Sequence, residues 1–168
     1  MKLALVTAAF AAPSLAKNFG KITVADSTGD SPVNRDVYVV GADWSSANVD
    51  VHADGTGFDL NKGGRIYFAE EAFDTFEGNQ HKFWQVNLKD HHFSYEINVS
   101  NVGCHCNAAA YFIGMPGNNI GDSGDYYCDA NHGNNQWCPE HDTYEGNKHT
   151  FATTLHTCDG DKSANNWW

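Results

Sequence analysis

The residues best equipped for chemistry stand close together late in the chain. Glu140, Asp142 and Glu145 fall within the run Cys138-Pro-Glu-His-Asp-Thr-Tyr-Glu-Gly-Asn147. Two carboxyl groups at a fixed separation suit glycoside hydrolysis, where one attacks the anomeric carbon and the other carries the proton. On a β-strand, side chains alternate faces, so Glu140 and Asp142 point the same way and Glu145 points the other way. One extra residue, a β-bulge, returns Glu145 to the shared face, and Gly146 beside it suits local irregularity. The outer Glu Cα atoms then lie about 13 Å apart at ~3.3 Å per step. Their side chains can reach toward the ~5–5.5 Å separation of a retaining glycosidase. Carboxylates this close cannot all stay ionised cheaply, so one is expected to hold a proton near neutral pH, the state an acid catalyst requires.

The elements that must position these groups read as short strands. Ile22–Ala25 and Val37–Val40 are apolar runs, and Val49, Val51, Phe58 and Leu60 alternate weakly. Arg65–Phe68 is a further strand candidate. Phe93, Tyr95, Ile97 and Val99 alternate with polar residues, predicting a half-buried strand. Asn107–Met115 is apolar on both faces and is expected to be central. No useful helical periodicity, internal repeat or linker interrupts this pattern, so the expectation is one all-β domain, an antiparallel β-sandwich.

Met1-Lys2, the apolar run Leu3–Ala12 and Pro13-Ser-Leu-Ala16 have the form of a secretory signal peptide, with cleavage expected after Ala16. Residues 17–168 then form the mature, soluble, secreted domain, expected to be a monomer. The net charge of −11 disfavours nucleic acid and anionic membranes as partners and fits a neutral polymer. Aromatic residues, 13% of the chain, suit both core packing and stacking on sugar rings. All five Cys lie in the mature part, so in an oxidising compartment at least one lacks an intramolecular partner. Asn98-Val-Ser100 is a glycosylation sequon.

Several blocks in order resemble glycoside hydrolase family 7, the fungal-type cellulases. The carboxylate strand resembles the family's E-M-D-x-W-E-A-N, with Cys138 before the first Glu and His156 and Cys158 at the family's offsets after the second. Gly64-Arg-Ile-Tyr67, Phe93-Ser-Tyr-Glu-Ile-Asn-Val-Ser-Asn101 and Cys104-His-Cys-Asn-Ala-Ala-Ala-Tyr-Phe-Ile-Gly-Met115 look like the family's G-x-R-L-Y, F-x-F-D-V-D-V-S-N and C-G-L-N-G-A-L-Y-F-x-x-M. Tyr127-Cys-Asp129 is similar to its G-Y-C-D. The likeness spans about residues 64–158.

The resemblance implies a curved, jelly-roll-like sandwich with a sugar cleft on its concave face, acting on β-1,4-linked glucan without cofactor or metal. It makes Glu140 the nucleophile, Glu145 the acid/base and Asp142 a tuning partner hydrogen-bonded to Glu140. His156 is implied near the acid/base, and Asn107, Tyr111 and Tyr127 along the sugar sites. It also implies a Cys128–Cys138 disulfide, and gives Cys104 and Cys158 partners beyond residue 168.

The family's catalytic domain is more than twice this length, so the sandwich is expected to lack its C-terminal half. His141, Thr143 and Tyr144 replace largely apolar family residues and should face the core if the carboxylates face the cleft. A cleft short of loops is expected to be open and endo-acting. The alternative is a non-catalytic secreted glucan-binding or effector module on the same fold. A metal site among Cys104, His105, Cys106, His132, Cys138 and His141 has no CxxC or HExxH support.

Overall fold

The computed structural model describes residues 14–26, 33–42 and 45–156. Residues 1–13 of the signal-like segment, and Cys158, lie outside them. The chain is all-β, and its named sheets are antiparallel. Among the described residues there are eight strands, β1 (Ala16–Asp26), β2 (Val33–Ala42), β3 (Asn48–Val51), β4 (Phe58–Lys62), β5 (Ile66–Ala69), β6 (Ala108–Ile113), β7 (Glu140–Gly146) and β8 (Phe151–His156), with two short 3-10 turns. They form the ladders β1-β2-β5, β3-β4 and β6-β7-β8. The β-branched and apolar runs expected before residue 70 all lie within strands.

The centre of the first sheet is β2, whose Val37, Val39 and Val40 are fully buried. Across the ladder, Tyr38 faces Ala69 and Val40 faces Tyr67. Cross-strand partners share a face, and this face carries the main core. Phe73, Phe76 and Phe83 pack there on Tyr67, mostly edge to face at 5.2–6.1 Å between ring centroids. The half-buried Tyr111 and Ile113 of β6, with Met115, Tyr126 and Tyr127 of the segment that follows, close the core from the β6-β7-β8 side. The two sheets thus share one interior, as in a β-sandwich. In β1, register shifts between Asn18 and Gly20, and Gly20 takes φ +129, a conformation that side chains other than glycine's rarely allow.

Two strand expectations fail. Phe93–Ser100 joins no ladder, and residues 93–98 are all exposed instead of alternately buried; Phe93 and Tyr95 lie against the outer face of β6-β7. Phe93 packs edge to face on Phe112 at 5.0 Å, and the Tyr95 hydroxyl meets Thr143 Oγ1 at 2.8 Å. Alternation signals a face that can pack on a neighbour, and here Phe93 and Tyr95 find theirs on a sheet surface without pairing in a ladder. The sequon residue Asn98 is exposed in a local turn, its Oδ1 accepting the Ser100 N–H at 3.0 Å. In the β6-β7-β8 ladder β6 is an edge and β7 is central; β6 is apolar on both faces because the core lies under one and Phe93 over the other.

Candidate active site

The register of β7 decides where its carboxylates point. On the β6 side, Ala110 pairs with Tyr144 but Tyr111 pairs with Asp142. On the β8 side, Asp142 pairs with Thr154 but Glu145 pairs with Ala152. Both ladders skip Thr143. It is the one extra residue of a β-bulge, and the bulge expected from the carboxylate spacing is present. Ile113, Tyr111 and Ala109 lie opposite Glu140, Asp142 and Glu145 in turn, so all three carboxylates rise from one face. Gly146 has a different task from the one expected. A Cβ there would fall 2.3 Å from the Thr150 carbonyl, so it serves the tight turn into β8.

That face is the inward one. Glu140 is 8% exposed and Asp142 3%, whereas His141 stands exposed on the opposite face. This reverses the expected placement of His141 and Thr143 against the core. The cause is the segment 116–138, which folds under the carboxylate face and supplies Tyr126, Tyr127 and Cys128 to the interior. Outside, Leu88, His91, Phe93, Tyr95, Phe112, His141 and Thr143 line a cavity of about 280 Å³.

Each carboxylate has its own partner. The Ala130 N–H donates to Glu140 Oε2 at 3.0 Å. Burial pushes the Glu140 carboxyl above its ordinary value, and the nearby charges of Asp142 and Asp129 push the same way, while the Ala130 N–H and His156 oppose them. The expected proton-holding tendency is thus found on Glu140, the residue given the nucleophile's part. His156 Nε2 lies 3.0 Å from Asp142 Oδ2, and His156 pairs in register with Glu140. It therefore stands at the Glu140 end of the strand and not beside Glu145, and Asp142's carboxylate is engaged by His156 where a bond to Glu140 was expected. The half-buried Glu145 instead accepts through Oε1 from Nδ2 of the exposed Asn107 at 3.1 Å. Asn107, from the turn before β6, thus stands beside Glu145.

Tyr111 and Tyr127 lie close to each other and to the acidic groups of the site, Tyr111 near Glu140 and Tyr127 near Asp129. Burial pushes both phenols up, so they stay neutral donors. Beneath them lies a polar cluster that motif reading passed over. The Arg65 guanidinium sits 3.6 Å from the Tyr127 ring centroid and 2.9 Å from Asp125 Oδ2. Asp125 is fully buried, and accepts from the Tyr67 hydroxyl at 2.6 Å and Ser123 Oγ at 2.6 Å. A buried carboxylate needs such partners. The only hint in sequence was an Arg and a Tyr on a short strand, which cannot indicate an Asp some sixty positions away.

Cys128 and Cys138 form a disulfide with Cα atoms 5.4 Å apart, which closes the loop behind β7. Cys104 and Cys106 are exposed free thiols. Among the described residues, no group of three or more His, Cys, Asp or Glu side chains is arranged to hold a metal ion. No protein-family model matches this chain, and no solved structure matches it.

Proposed function

We propose that this protein is a secreted, retaining β-1,4-glucan hydrolase of the glycoside hydrolase family 7 type, a monomer that works without a cofactor. The observation that supports it best is the one-residue bulge at Thr143, which puts Glu140, Asp142 and Glu145 on one face. Glu140 attacks the anomeric carbon while Glu145 gives its proton to the departing glycosidic oxygen. Water, deprotonated by Glu145, then displaces Glu140 and releases the sugar with its configuration retained. Asp142, held by His156, adds negative charge beside Glu140. Asn107 orients Glu145, and the Tyr111 and Tyr127 hydroxyls serve as neutral donors along the sugar path. Glu145, half-buried where Glu140 and Asp142 are buried, suits the residue that must exchange a proton with water.

The second reading is a non-catalytic secreted glucan-binding module. The near-complete burial of Glu140 and Asp142 favours it, since a nucleophile must reach a sugar carbon. Reducing-sugar release from carboxymethyl cellulose and mixed-linkage β-glucan separates the two. The hydrolase releases sugar, and Glu140→Gln stops it. Glucan binding with no release in the wild type would leave the binding module.

A further inference from the structure

Asp129 follows the disulfide cysteine Cys128 and is not itself one of the residues given a role in bond cleavage. Its side chain nevertheless organises the backbone that touches one of them. Asp129 Oδ1 accepts from the Asn131 N–H at 2.9 Å and the Gly133 N–H at 2.7 Å, and its carbonyl accepts from the Cys138 N–H at 3.1 Å. These bonds fold a turn of the kind Asp side chains nucleate. The residue carried at its head is Ala130, 7% exposed, whose N–H is the donor to Glu140. The turn is packed on its other side. A Cβ at Gly133 would lie 2.7 Å from both Asp129 Oδ2 and Tyr127 Cε1, and Tyr127 is pinned by Arg65.

We propose that Asp129 is the positioning residue for Glu140. By folding the 129–133 turn it delivers the Ala130 N–H to the buried carboxylate, fixing one oxygen and leaving the other to react. The proposal rests on the reading of Glu140 as nucleophile. The groups facing Glu140 are Asp142 on its own strand, His156 from β8, Tyr111 from β6, and Asp129 and the Ala130 N–H from the loop. Asp129 therefore has two separable influences, a charge nearby and a turn that supplies a donor.

The test follows the Ala130 amide by nuclear magnetic resonance through a pH titration. In the wild type its proton shift should follow the Glu140 titration, and Glu140→Gln should remove that response. Asp129→Asn keeps an oxygen acceptor for the turn, so the response should remain. Asp129→Ala loses the turn, so the response should vanish and kcat/KM on soluble glucan should fall about tenfold or more, the scale of a lost bond to a charged group. Asp129→Glu keeps the charge but is too long for the turn. It should behave as the alanine variant does, and it serves where that variant fails to fold. An Ala130 amide that still follows Glu140 in Asp129→Ala or Asp129→Glu would overturn the proposal. A wild type without hydrolysis would sink the hydrolase reading, while the amide titration would still decide the positioning.

Discussion

Glu140 combines two demands that pull against each other. As the proposed nucleophile it must be ionised to attack, yet burial pushes its carboxyl above the ordinary 4.5. Two consequences follow from that one shift. The acidic limb of kcat/KM against pH should lie above the ordinary glutamate value, because the free enzyme gains its nucleophile only as Glu140 loses its proton. Stability should move the opposite way. The folded state binds the proton more tightly than the unfolded chain, so stability falls as pH rises from about 4.5 through the folded value, then levels off. Thermal melts across that window should show the decline, and Glu140→Gln should flatten it; an unchanged profile in the variant would assign the decline elsewhere. Roles should also separate by substrate. Glu140→Gln should cost several orders of magnitude on every glucoside, whereas Glu145→Gln should keep much of its first-step rate on aryl glycosides with good leaving groups. At this scale the carboxylates were legible because their spacing is local. Their partners were not, since which His meets which Asp depends on a register set by two other strands.

At the scale of the element, β7 depends on one inserted residue. Deleting Thr143 should restore a regular ladder and turn either Glu140 and Asp142 or Glu145 to the other face. Glucan hydrolysis should then disappear while the far-ultraviolet circular dichroism stays that of a β-protein; surviving activity would show that the shared face is unnecessary. The disulfide behind the strand closes a short loop. Replacing Cys128 and Cys138 together by Ser should lower stability by about 2–3 kcal/mol, read by denaturant unfolding. The bulge could be read in the sequence because carboxylates two and five positions on from the first share a face only with an inserted residue. The fate of Phe93–Ser100 could not, because alternation does not distinguish a paired strand from one laid across a sheet.

For the whole molecule, the sandwich is finished on one side and bare on the other. Phe93, Tyr95 and Ile97 are 39–42% exposed, and Phe151 and Leu155 of the edge strand β8 about 65%. Contiguous apolar surface of this kind binds hydrophobic dyes and promotes association. Phe151→Ser with Leu155→Ser should therefore reduce dye binding without changing the circular dichroism; undiminished dye binding would place the accessible apolar surface elsewhere. The fold class was legible because strand periodicity and turn residues are dense throughout the chain. Which face turned inward was not, because it depends on how segment 116–138 folds beneath β7. As the proposed nucleophile, Glu140 forms a covalent bond to the sugar. The most direct measurement is mass spectrometry of the protein after incubation with a 2-deoxy-2-fluoro-cellobioside carrying a good leaving group, which slows release of the glycosyl-enzyme. The expected result is one added fluorocellobiosyl mass, located by fragmentation on Glu140 and absent in Glu140→Gln. A label on Glu145, or none in a wild type that hydrolyses glucan, would contradict it.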